Sequence, residues 1–96
     1  MRVVYHPGVQ RDVSAILRYY DGVSKKLGDD FWADFRAGVE RAAEHPERCH
    51  ALESGLRRFN LKRFPYHFLF RLRPDTMRIT VVRHHKRHPR VGLSRR

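Results

Sequence analysis

The chain is poor in several things, and each absence removes a class of protein. A single cysteine, Cys49, leaves no internal disulfide framework and fits a reducing, cytoplasmic setting. No apolar run approaches the roughly 18 residues that a membrane span requires, and the first residues lack the apolar segment of a signal peptide. No glycine-rich loop is present to cradle a phosphate, no pair of carboxylates is spaced for acid–base work, and no repeat or low-complexity tract interrupts the sequence. With 96 residues there is room for one domain, spanning 1–96, and for one core. Acidic residues are also scarce, and unevenly so. The first fifty residues carry eight Lys or Arg and eight Asp or Glu, whereas the remainder carries thirteen bases against only Glu53 and Asp75. The formal excess of +11 therefore belongs entirely to the second half, and it points to an anionic partner.

What is present divides by periodicity. Arg2–Tyr5 reads as a short strand ended by His6-Pro7-Gly8. Val9, Val13, Ile16, Leu17 and Tyr20 then recur at helical spacing, with Pro7 suited to a first turn that needs no N–H donor. This helix is expected to end near Asp21-Gly22 or to run on to Leu27. Gly28-Asp29-Asp30 reads as a stop and a new cap, opening a second helix with a buried stripe of Phe31, Trp32, Phe35, Val39, Ala42 and Ala43. His45-Pro46 closes it. From residue 58 the period becomes two: Phe59 and Leu61, then Phe68, Phe70 and Leu72, then Met77, Ile79 and Val81 alternate with polar neighbours. The expected fold is α+β, ordered βααβββ: a small twisted antiparallel sheet with two N-terminal helices on one face and a basic, poorly ordered tail over 90–96.

A connection centred on Pro74-Asp75 sets Leu72 opposite Met77, Phe70 opposite Ile79 and Phe68 opposite Val81, which keeps one face apolar. The other face then carries His67, Arg71, Arg73, Arg78, Thr80 and His84, with Arg71 directly across from Arg78. Like charges so placed repel. A solvated face is the plain alternative, but it leaves this pairing and the scarcity of acids unexplained. A basic face of this kind suits phosphates and salt-dependent binding. The run Arg83-His84-His85-Lys86-Arg87-His88-Pro89 ends the last strand. A histidine there is suited to proton transfer near neutral pH, with Lys86 and Arg87 stabilising developing negative charge. No metal or other cofactor is expected, because no second ligand group has recognisable spacing and the setting repels cations. Of the aromatic residues, Phe64 and Tyr66 beside Pro65 are the two left open as surface. Cys49 has no partner pattern that would make it a nucleophile.

These residues also form a pattern. Tyr19-Tyr20, Leu27-Gly28 followed by Phe31, Glu44-His45-Pro46, Arg63-Phe64-Pro65-Tyr66 and His84-x-x-Arg87-x-Pro89 occur in this order, and with them the chain resembles the RelE/ParE superfamily of bacterial type II toxin–antitoxin modules over nearly its full length. The resemblance implies a growth-inhibiting toxin, of the kind that stabilises plasmids, and a cognate antitoxin protein as partner. It implies one of two targets: DNA gyrase for ParE-type members, or mRNA on the ribosome for RelE-type members, which are metal-independent endoribonucleases. RelE-type basic positions fall on Arg58, Asn60, His67 and Lys86; Asn60 supplies no charge, and no tyrosine follows Pro89. The Phe-Pro-Tyr and His-x-x-Arg-x-Pro motifs lean toward the ParE branch. If the protein is a nuclease, His84, His67 and Arg87 are the candidate catalytic residues, with Arg58, Lys62, Arg63, Arg71, Arg78 and Lys86 as anion- or RNA-binding residues. A non-toxic basic nucleic-acid-binding module is the third reading.

Overall fold

The computed structural model describes all residues from Met1 to Arg96. Strand β1 (Arg2–Tyr5) leads into α1 (Pro7–Val23) and α2 (Lys25–Glu44). Then come β2 (His50–Ala51), β3 (Leu56–Asn60), β4 (Tyr66–Leu72) and β5 (Thr76–His84). The five strands form one sheet in the order β1-β5-β4-β3-β2. Every pair is antiparallel except β1 with β5, so a sheet expected to be antiparallel is mixed at one edge. No helix is long and apolar enough to cross a membrane.

Local chemistry explains the helix limits. Pro7 occupies the first turn of α1, and His6 Nδ1 caps it by accepting the Gly8 N–H at 2.9 Å. Ser24 serves both helices. Its N–H bonds to the Tyr20 carbonyl to end α1, and its hydroxyl accepts the Leu27 N–H at 3.1 Å to begin α2. The second helix therefore starts at Lys25, not after Gly28. Gly28 lies within it, at a point where the Asp21 carboxylate leaves no room for a Cβ. Asp29 and Asp30, expected as caps, instead pair with Lys25 and Lys26 one turn earlier.

The core fills the space between the helices and one sheet face. Val9, Val13 and Ile16 from α1 and Phe31, Phe35, Val39 and Ala42 from α2 meet Phe68, Phe70, Met77, Ile79 and Val82 from the sheet. Trp32, expected in the buried stripe, is 43% exposed because no element covers its side of α2. Tyr66 and Phe64, left open as surface, belong to the core cluster and its margin: both rings pack on Tyr20 and Phe31. Burial and the neighbouring Tyr20 hydroxyl push the Tyr66 phenol up to about 12, so it stays protonated. Asp34, buried on α2, accepts the Arg63 and Phe64 N–H groups and holds the β3–β4 connection against the helices.

The β4–β5 register agrees with expectation at the turn and then departs from it. Leu72 faces Met77, Arg71 faces Arg78 and Phe70 faces Ile79, but a bulge between Leu69 and Phe70 sets Leu69 opposite Val81 and Phe68 opposite Val82. The extra residue on β5 reverses side-chain parity beyond it. Val82 joins the main core, and Val81 packs with Leu56 and Leu69 on the opposite face.

Residues 90–96, expected as a loose tail, run back along β5. Arg83 donates to the Pro89 and Val91 carbonyls, and Arg95 forms a two-pronged ion pair with Asp12 of α1 and also bonds the Thr80 carbonyl. Arg78 donates to a main-chain oxygen of Arg96 at 3.1 Å. Gly92 sits between them with φ +80, its α-carbon so close to Val81 that a side chain has no place.

Candidate functional site: the open sheet face

The sheet face turned away from the helices is not uniformly basic. Leu56, Leu69 and Val81, flanked by Leu52, form an apolar strip across its middle. One group of cationic side chains lies on each side of this strip.

The first group lies at the β3–β4 end. Arg83, which the bulge turns onto this face, is buried and has no carboxylate within ion-pair distance. Carbonyl dipoles and an imidazole solvate it instead: besides the two tail carbonyls, its Nε donates to His67 Nε2 at 2.9 Å. That bond makes His67 Nε2 an acceptor and places the ring proton on Nδ1, which donates to His85 Nδ1 at 2.9 Å. Arg58 approaches the same His85 nitrogen at 3.4 Å, and its Nε is held by the Asn60 side chain at 2.8 Å. The result is a directed chain, Arg83 to His67 to His85, with the two rings stacked 5.2 Å apart.

This arrangement determines protonation. His67 is only 2% exposed, and burial, followed by the positive charges of Arg58 and Arg83, pushes its pKa from 6.5 to about 3. His85 is lowered for the same leading reasons, burial and Arg58. Both rings are neutral at physiological pH, and both Nδ1/Nε2 positions of His67 are already bonded. A neutral, fully engaged imidazole is a structural link and a poor proton acceptor.

The sequence-predicted residues divide accordingly. Arg58, His67, Arg71 and Arg78 do lie on the open face. His84 does not: the bulge turns it toward the helices, where its ring meets Tyr66 edge-on at 5.0 Å and its Nδ1 accepts the Lys86 N–H. Arg87 lines the same small hollow as His84, beside Arg11 and Tyr19 of α1. Arg63 leans on Asp30 of α2 at 3.8 Å. Lys62 and Lys86 are exposed at the two turns. Periodicity gave no sign of Arg83 as the centre of the network, nor of His50, which lies directly across from Arg58 on the sheet edge. Cys49 remains a thiol, its pKa raised by partial burial.

The second group comprises Arg71, Arg73 and Arg78 at the β4–β5 turn, where they line a cavity of about 470 Å³ with no hydrophobic side chain in its wall. On the opposite side of the molecule a larger apolar groove of about 770 Å³ runs between α1, α2 and β1. Val13, Leu17, Trp32 and Val39 are among the side chains lining it.

A solved structure of the chromosomal ParDE toxin–antitoxin system from P. aeruginosa has the same fold, with a TM-score of 0.76 at 17% identity, over 88% of this chain and 95% of that chain. The two-helix, mixed-sheet architecture is thus shared with that structure. No curated protein shows significant sequence similarity to the chain. Residues 3–89 match the model of the ParE toxin of the type II toxin–antitoxin system, parDE, and the chain belongs to that family. It is accordingly a toxin of a type II module, with an antitoxin as its partner.

Proposed function

We propose that this toxin acts by binding and blocking DNA gyrase, not by cutting mRNA. The observation that supports this reading is the state of the two candidate catalytic histidines, neither of which presents a free base on the open face. His67 has no free lone pair and a pKa of about 3, and His84 is turned onto Tyr66. A ribonuclease needs a base near the substrate hydroxyl with a pKa closer to the working pH. Family membership points the same way. The apolar groove beside the unpaired edge of β1 suits the apolar side of an amphipathic antitoxin segment.

The test is induced expression with two readouts, gyrase supercoiling and the mapping of transcript 5′ ends. Blocked supercoiling with intact transcripts is the expected result. Codon-phased cuts that disappear in Arg58→Ala or His50→Ala would establish the nuclease alternative instead. Unimpaired growth with neither effect would refute both activities.

A further inference from the structure

The arginine cavity at the β4–β5 turn is separate from the histidine network and has no part in the reading above. Arg71 and Arg78 are direct cross-strand partners, and like charges so placed repel. Neither they nor Arg73 forms an ion pair with an Asp or Glu side chain. Asp75, the one acid in the wall, accepts from the Thr76 hydroxyl at 3.0 Å. Arg71 is held firmly all the same. Its Nη1 donates to the Ser54 carbonyl at 2.7 Å, and Ser54 adopts φ 62, an unfavourable conformation for a residue with a side chain. Its Nε is buried and has no partner. An orphaned buried donor costs free energy, and on a charged group more than on a neutral one. One acceptor already reaches the cavity: a main-chain oxygen of Arg96, bonded to Arg78 Nε.

We infer that this cavity is a binding site for a backbone phosphodiester of a nucleic acid. Guanidinium forks match phosphate oxygens two at a time, and one phosphate can accept from more than one fork. A phosphodiester sets its two charged oxygens tetrahedrally on phosphorus, with two ester oxygens as weaker acceptors. Guanidinium groups from β4, β5 and their turn can therefore approach it from several sides, whereas a carboxylate presents its two oxygens in one plane. At about 470 Å³ the cavity has room for a phosphate with its flanking sugars. The absence of aromatic lining removes the usual platform on which a base stacks. Recognition here is therefore sequence-independent and strongly dependent on salt. The site does not rest on the gyrase proposal, and it can be tested without any topoisomerase.

The test is fluorescence anisotropy of the full chain with a labelled DNA duplex and with a single-stranded RNA of matching sequence, titrated across salt, alongside a polyglutamate peptide. Arg73→Gln and Arg78→Gln are each expected to weaken nucleic-acid binding about five- to tenfold at low salt. Each should also lower the slope of log K against log salt by about 0.9 for the duplex, or about 0.7 for the single strand, as loss of one phosphate contact requires. The arm with the tighter binding identifies DNA or RNA as the source of the phosphodiester. Arg73 is exposed, so its variant stays informative even if Arg71→Gln or Arg78→Gln disturbs the fold. Unchanged affinity and slope in folded variants would overturn the assignment. Equal or tighter binding of polyglutamate, lost in the same variants, would overturn it in favour of an acidic protein segment.

Discussion

The buried His67 makes stability depend on pH, with a sign and size that follow from its surroundings. Its pKa is about 3 in the folded protein against 6.5 when exposed, so on acidification the unfolded chain takes up the proton first. The stabilisation is complete above about pH 6.5 and is lost progressively as pH falls toward 3. Between about pH 7.5 and pH 5 this one residue should account for about 2 kcal/mol of lost stability, and over the whole interval for about 5 kcal/mol. The perturbation is His67→Gln, which can still accept from Arg83 and donate to His85 but cannot titrate. Urea unfolding of both proteins at a series of pH values gives the difference in slope, and His85 is retained in both as a common background. Wild type should lose about 2 kcal/mol more than the variant over that first interval. Parallel pH profiles would refute the claim that His67 is buried in its neutral form between two guanidinium groups.

Three other outcomes follow from packing and capping. Phe68→Ala, which empties a fully buried site stacked on Phe59 and edge-on to Phe35, should cost about 3–5 kcal/mol in denaturant unfolding. Ser24→Ala should cost about 1 kcal/mol by removing the cap on the Leu27 N–H, read as a lower thermal midpoint. Asp12→Ala removes both prongs of the Arg95 pair and the acceptor of the Val82 N–H. It should therefore destabilise by about 3 kcal/mol and raise hydrogen exchange over residues 90–96 and at Val82.

The sequence was most legible where one physical rule acted alone. Alternation of Phe68, Phe70 and Leu72 with polar residues, together with the Pro74-Asp75 turn, determined the hairpin register as far as Ile79. Beyond it Thr80, Val81 and Val82 are all β-branched and fit either face, with no Gly or Pro to mark an extra residue, so the bulge left no trace. That single residue exchanged Arg83 for His84 on the open face, and with them the centre of the candidate site. The boundary between the helices was misplaced because Asp29 and Asp30 resemble caps, whereas Ser24 was nearer and free to cap. Trp32 fits the α2 stripe by spacing, but spacing cannot show that no element lies opposite it. The pairing of β1 with β5 was equally hidden, since periodicity shows which side chains are buried and not which strand lies alongside.

That last pairing has a consequence in time. Arg2 waits for Thr76, and Asp12 for Arg95, before either contact can form. At synthesis rates of about 5–20 residues per second, the stretch between Arg2 and Thr76 represents roughly 4–15 s. During that interval the first strand has no partner and α1 lacks β5, the strand it packs against. Closing so long a loop is also intrinsically slow. The nascent toxin is thus an incomplete surface for most of its synthesis, and its own topology delays the moment at which it becomes able to act.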